Sequence, residues 1–447
     1  MPKLLIANLD NPSMMGDQYR WSPDFYRSST TLAMRHAWFA EPGDIVVLPR
    51  PLSHQMQIYI AELMEYDDGD VTFLAPELPS DFCGPMGLDI LLGSDFLPRV
   101  REAIDTDNEW TIWPYYHDRD VDTFVNALGI RRREGTNPFL SEGGAELFND
   151  KRIFRAMAAG RLIPIADGCS VSSLIELSQA VQHLIEVTGS VIVKQDRHSS
   201  TDGNLVVTKV RGISGQGASE VLEFVGNGAD ALNTIWERLG YEGAALVVEA
   251  YYPVKKILYA EFLIERATSS VHFRNWGSPR MNPGCFGLTI PPGEVPPFLA
   301  AKFISGATEV ARIACDLGFD GLLDVDGIVT SQGDVIFNEV NGRTGGCSHV
   351  HAICEKLLGK GYGNRAVAAT SNEVRTRSLS RLMSRLRETG LAFDKRTQRG
   401  VVITAEDANQ SGRLEALSIG KSEDEVLEVE ASLIRLTQES ISSKVAA

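Results

Sequence analysis

The segment Leu322–Gly346, LLDVDGIVTSQGDVIFNEVNGRTGG, constrains the fold of this chain more than any other. Two strand-like runs flank Ser331-Gln332-Gly333-Asp334, the pattern of a β-hairpin. With Gln332 and Gly333 as the two residues of a tight turn, Ser331 faces Asp334. That register sets Asp326 opposite Glu339 and Asp324 opposite Asn341. Side chains on a strand repeat every two residues, so these four share one face. Like charges facing each other across strands are destabilising. A face with three carboxylates and an amide therefore calls for a cation. The apolar alternates (Leu323, Val325, Ile328, Ile336 and Val340) bury the strands in a core.

Hard oxygen donors of this kind suit Mg²⁺, with Mn²⁺ as a substitute. The expected metal ligands are Asp326, Glu339 and Asn341, with Asp324 behind them. So few protein ligands leave room for water and substrate phosphates. The spacing of an EF-hand loop is absent. A metal–phosphate site also needs cations for the phosphate oxygens. Lys194 interrupts the β-branched run Ser190–Asp196, just before the polar stretch Arg197–Asn204, whose backbone N–H groups can fold over phosphates. Lys151 falls in the first turn of a helix capped by Asn149 or Asp150.

The 447 residues suggest about three domains. Strands at Lys3–Ala7, Asp44–Leu48 and Val71–Leu74, with helical patterns between them, make residues 1–140 an α/β layer. The loop after the first strand lacks GxGxxG, so a dinucleotide site there is unsupported. Residues 141–365 hold the acidic hairpin, and a lid-like segment spans about 188–248. Residues 366–447 read as a small ββα unit opened by an amphipathic helix. Its Arg377, Arg381 and Arg385 form a solvated face. Lys and Arg total 43 against 59 Asp and Glu, a net charge of −16. That argues against nucleic acid as a partner. No apolar run approaches the roughly 18 residues that cross a bilayer, so no membrane partner is expected. The N-terminus has no secretory pattern. Six sparse cysteines without CxxC read as reduced thiols. Together these place the protein in the cytoplasm.

The order of parts then becomes recognisable: DK at a helix start, VIVK with a polar hairpin, VVEAYY, AEF, DVDG and NEVNGR. This resembles the ATP-grasp superfamily over roughly residues 141–350. The resemblance implies an α/β (α+β) fold: an ATP-grasp domain behind an N-terminal α/β pre-ATP-grasp domain, with the small C-terminal ββα domain last. It implies that Lys151, Lys194, Ser199 and Ser200 contact ATP phosphates. Glu249 and the backbone of Ala250, Tyr251 and Tyr252 would form the adenine-contacting hinge. Glu261 would sit near the ribose, with Lys256 as the alternative. Asp326, Glu339 and Asn341 would hold Mg²⁺. Arg343 would steady the acyl-phosphate oxygens or the bound carboxylate. The implied reaction is phosphoryl transfer from ATP to a carboxylate, then attack of an amine on the acyl phosphate.

The length, the first zone and the C-terminal unit look similar to peptide ligases of the pheganomycin type. That likeness implies natural-product (antibiotic) biosynthesis. A guanidino-type acid would be joined to the N-terminal amine of a peptide, with the acidic charge of the chain suiting both. Homodimerisation is left open. Arg280, in the Gly- and Pro-rich segment Val271–Thr289, is the expected second contact to a substrate carboxylate or phosphate, against a surface arginine. The aromatic cluster Trp110–His117 is expected to be core. Cys347, His349, His351 and Cys354 lie within eight residues, but on a helix His351 shares a face with Cys347 and His349 does not. Helix packing is the expectation there, with His349 as a substrate contact the alternative. Two other readings remain open, a kinase acting on a small acid and a non-catalytic nucleotide or metal binder. A biotin-carboxylase-like role would need a bicarbonate pocket and a carrier partner, and nothing in the sequence marks one.

Overall fold

The computed structural model describes residues 1–16, 22–79, 82, 84–133, 135–198, 201–240, 245–282, 284–408 and 410–442. Three sheets organise them. The first is parallel, in the order Thr72–Leu74, Ile45–Val47, Lys3–Ile6, Glu109–Pro114, Arg131–Arg132. Parallel strands are covered on both faces, which is why LLI and IVV are unbroken apolar runs. Leu5 and Val46 face Met56 and Ile60 on one side. Leu4, Ile6 and Val47 face Val100, Val121 and Phe124 on the other.

The second sheet runs Gly168–Val171, Leu246–Ala250, Ser190–Gln195, Asn204–Thr208, Glu220–Glu223. Helices Leu174–Thr188 and Ala229–Leu239 cover one face with Leu177, Val181, Leu232 and Ile235. The opposite face carries Ile192, Val206 and Tyr251.

The third sheet has eight strands. Val335–Asn341, Gly321–Thr330, Val254–Glu265, Ser270–Asn282 and Gly284–Ile290 continue directly into Val367–Arg375, Arg413–Gly420 and Gly400–Asp407. The C-terminal strands thus extend the sheet that carries the acidic hairpin, through Thr289 opposite Ala369 and Ile290 opposite Ala368. Pairing there covers backbone groups that would otherwise form an open edge. Helix Pro297–Asp316 lies against this sheet and stacks Phe303 on Phe337, ring centroids 5.5 Å apart. Helix Leu379–Glu388 buries Leu379, Leu382, Met383 and Leu386, the expected face. Among the described residues no helix is long and apolar enough to cross a membrane.

The hairpin departs from the simplest reading at its tip. Thr330, not Ser331, faces Asp334: the Thr330 N–H donates to Asp334 O at 2.9 Å, and the Gly333 N–H donates to Thr330 O. The turn has three residues and ends on Gly333 at φ +88°, a position that favours glycine. This would move the facing pairs by one. A bulge between Asp326 and Gly327, where Gly327 pairs with Phe337 and skips Asn338, moves them back. Asp326 therefore does face Glu339, and Asp324 does face Asn341.

Candidate active site

A cleft opens between the second and third sheets. Ile192, Lys194 and Glu249–Tyr252 line it from the former, and Ile257, Asp326, Ile328 and Glu339 from the latter. Asp326 and Glu339 sit there for a local reason, since the pleat turns them to the same face of the hairpin, and Asn341 follows Glu339 on that face. Asn341 Nδ2 donates to Asp326 Oδ2 at 2.8 Å, and Arg343 Nη2 donates to Asn341 Oδ1 at 3.0 Å. Lys151 Nζ, from the first turn of the helix capped by Asp150, lies 2.9 Å from Glu339 Oε2. Burial, and then the charge of Glu339, push Asp326 up to about 7. Burial pushes Glu339 the same way, but Lys151, with Lys194 and Arg343, outweighs it and holds this carboxyl below its usual value. Two carboxylates and an amide on one face match the donor set of a hard divalent cation.

The lysines carry a second ion pair that the sequence does not reveal. Lys194 Nζ is 2.6 Å from Glu249 Oε2, and Arg155 Nη1 is 2.5 Å from Glu249 Oε1. Arg155 also donates to Ala166 O at 3.0 Å. Glu249 is buried and faces these two cations. The hinge N–H groups of Ala250 and Tyr251 donate to Asp167 O and Ser190 O. Tyr251 Oη donates to Gln216 O at 2.9 Å. Arg155 could have been found in the sequence, since it falls four residues after Lys151 on the same helix face.

Three expectations change. Glu261 does not line the cleft, and neither does Lys256. On its strand Tyr259 faces Asp326 and Glu261 faces Asp324, so Glu261 lies two residues, roughly 7 Å, past the acidic pair and away from the lid. It is fully buried there, accepting from Asn275 Nδ2 at 2.6 Å and from the Ser348 hydroxyl. Glu261, Asp324 and Cys347 bring one ligand atom each within 4.8 Å of one another. Burial, then the charge of Glu261, push Asp324 well above the carboxylate range.

Arg280 is committed elsewhere. Both of its terminal nitrogens donate to the Glu430 carboxylate at 2.7 Å, one also reaches Thr370 O, and the guanidinium lies over the Phe286 ring. It ties the sheet to the C-terminal helix. Ser199 and Ser200 lie outside the described residues; their neighbours Thr201 and Asn204 line the cleft.

The cysteine–histidine run does not converge. Cys354 is buried in the core, His349 Nε2 meets Glu415 Oε1 at 3.2 Å, and His351 Nδ1 meets Tyr362 Oη at 3.2 Å. The Trp110–His117 cluster packs as core, with Trp110 and Tyr116 buried and Trp113 stacked on Phe39. Arg343 Nε is buried with no hydrogen-bond partner among the described residues, which leaves a donor for an anion beside the acidic pair.

Two family models match parts of the chain: the Pre ATP-grasp domain over residues 33–130 and the PGM1 C-terminal domain over residues 381–433. A comparison with curated protein sequences gave no match. Among solved structures, the ADP complex of an N5-carboxyaminoimidazole ribonucleotide synthetase is similar at 14% identity and TM-score 0.56, with 98% of this chain and 97% of that one covered. The Aspergillus clavatus N5-carboxyaminoimidazole synthase bound to ADP and 5-aminoimidazole ribonucleotide is similar at 13% identity and TM-score 0.54, with 98% of each chain covered. A biotin carboxylase complex from Campylobacter jejuni is similar at 11% identity and TM-score 0.55, with 95% and 89% covered. Likeness at these identities speaks for the fold, which is a mixed α/β ATP-grasp fold with a pre-ATP-grasp domain at its N-terminal side.

Proposed function

We propose that this chain is an ATP-dependent, ADP-forming ligase that joins a carboxylate to an amine. The observation that carries this reading is the meeting of Asp326, Glu339 and Lys194 at one cleft, with Lys151 paired to Glu339, Asn341 bonded to Asp326 and Arg343 bonded to Asn341. The site suits a nucleotide whose adenine end lies at Glu249–Tyr252 and whose phosphates lie at Lys151 and Lys194. Asp326, Glu339 and Asn341 would hold Mg²⁺ or Mn²⁺, which supplies charge neutralisation of the phosphate oxygens when bound. ADP in the similar structures supports a nucleotide there.

The residues then act by position and charge. Arg343, with its unpartnered Nε, orients the substrate carboxylate for in-line attack on the γ-phosphorus. One O–P bond forms and the bond to ADP breaks, leaving an acyl phosphate. The amine attacks the acyl carbon, loses a proton and expels inorganic phosphate. The finer reading follows the sequence resemblance. The acid is a guanidino-type amino acid, the amine is the N-terminus of a peptide, and the setting is natural-product biosynthesis in the cytoplasm. The net charge of −16 suits a cationic donor.

The test is ADP release from a panel of small acids paired with peptides. A ligase releases ADP with a matched pair and leaves little stable phosphorylated acid when the amine is omitted. Full turnover on the acid alone would make the protein a kinase. No ADP from any pair would leave only a nucleotide or metal binder.

A further inference from the structure

A second cleft lies between helix Pro23–Leu32 and the C-terminal strands Val367–Arg375, Gly400–Asp407 and Arg413–Gly420. Arg375 and Arg413 both line it, and they are directly opposite each other in the antiparallel pair. Facing like charges destabilise a sheet, and neither arginine has an ion-pair partner among the described residues. The nearby carboxylates are otherwise engaged. Asp24 holds Arg27 at 2.9 Å, and Glu415 holds Arg35 at 2.5 Å and His349 at 3.2 Å. Asp407, across from Arg413 on its other side, accepts the Ser411 N–H. The cleft therefore presents two exposed guanidinium groups that make no ion pair among the described residues. Asn372, also in its lining, has a buried Oδ1 without a donor.

The cleft is joined to the proposed reaction site. Glu415 follows Arg413 by two residues on the same strand face and closes the inner end of the cleft. Its partner Arg35 lies near Gly346, three residues after Arg343: a Cβ added at that glycine would come 3.8 Å from Arg35 Nη1. We infer that this cleft holds the amine substrate by a carboxylate at its far end, gripped by Arg375 and Arg413. The ligand class is a peptide with a free C-terminal carboxylate, with one of its N–H groups donating to Asn372 Oδ1 and its amino end lying toward Gly346. Paired guanidinium groups fit a carboxylate through parallel N–H···O bonds. Arg27 is a reserve donor, because its exposed pair with Asp24 is weak. The assignment of this ligand as the amine substrate rests on the ligase reading; the anion site itself does not.

The experiment titrates dipeptides and tripeptides, each as the free acid and as the C-terminal amide, into the full-length protein saturated with ADP and Mg²⁺, and follows heat. Free acids should bind about tenfold or more tighter than amides. The double variant Arg375→Gln/Arg413→Gln should lose that preference. Its thermal midpoint should equal or exceed that of the parent, because a repulsion is removed. Should the double variant fail to fold, Arg413→Gln alone removes the facing pair and reads the same preference. Equal binding of acid and amide, binding of neither, or a preference that survives the substitutions overturns the site. No turnover is needed, so a protein that prefers free acids yet never forms ADP loses the ligase reading and keeps the anion site.

Discussion

Lys194 Nζ lies 2.6 Å from one oxygen of the Glu249 carboxylate, whose other oxygen lies 2.5 Å from Arg155 Nη1. All three groups are buried. One carboxylate thus sets the position of Lys194 and balances a second cation beside it. The arrangement ties the strand Ser190–Gln195, the strand Leu246–Ala250 and the helix Lys151–Gly160 at the back of the cleft.

Glu249→Ala leaves two buried cations facing each other without their shared carboxylate. The expected cost is about 3–5 kcal/mol, read as a lowered urea midpoint. An unchanged midpoint would show that the ion pairs are not closed in solution.

Lys194→Ala should behave differently. Arg155 still balances Glu249, so the loss of stability should be smaller than for Glu249→Ala. The KM for ATP should rise about tenfold through loss of a charge-assisted phosphate contact. Unchanged nucleotide affinity in calorimetry would contradict the phosphate role.

Glu339→Gln should abolish ADP formation with the fold intact, because the side chain is partly exposed and sits on a paired strand. Its affinity for ADP with Mg²⁺ should fall by about 100-fold or more, the upper range for disturbing even the surroundings of a metal. Chelation of Mg²⁺ from the parent should stop ADP release, and Mn²⁺ should restore it. Normal turnover of the variant at saturating Mg²⁺ would remove Glu339 from the metal site.

Glu415 gives a pH signature. Burial alone would raise its carboxyl, but Arg35 and His349 outweigh it and hold the group near 2, against an ordinary 4.5. A carboxyl whose folded value is depressed adds stability above its unfolded value and loses it as pH falls toward the folded value. The destabilisation caused by Glu415→Gln, about 3 kcal/mol, should therefore be constant above pH 4.5 and shrink as pH falls from 4.5 to about 2. Urea unfolding of both proteins across that range measures it. A difference that does not change with pH would contradict the ion pairs.

Gly333→Ala tests the turn. A Cβ there meets nothing within 4 Å, so only the left-handed backbone, φ +88°, resists it. The expected cost is about 1 kcal/mol, seen as a small drop in thermal midpoint with ADP formation retained. A cost of several kcal/mol would mean that the turn packs against something.

The acidic hairpin shows how local and distant information divide. Period-two alternation over Leu322–Asn341 was enough to put Asp324, Asp326, Glu339 and Asn341 on one face, since a pleat depends only on neighbouring residues. The facing pairs were read correctly although the turn was not. The third turn residue and the bulge at Asn338 each shift the register by one and cancel. The helix start at Asn149 or Asp150 was legible in the same way, because a cap bonds N–H groups two or three residues ahead, as Asp150 does.

Partners far along the chain were not legible. Arg155 meets Glu249 across 94 positions, Arg280 meets Glu430 across 150, and Arg35 meets Glu415 across 380. No local periodicity records such pairs, because they form only where sheet order brings strands and helices together. The sequence alone therefore determined which residues share the acidic face of the hairpin. Only the tertiary structure decided that Glu261 lies past the acidic pair, that Arg280 clasps the C-terminal helix, and that Arg375 and Arg413 stand face to face at a second cleft. Charge placement on one strand is a matter of side-chain parity, whereas charge compensation depends on strand order and on the packing of helices against the sheets.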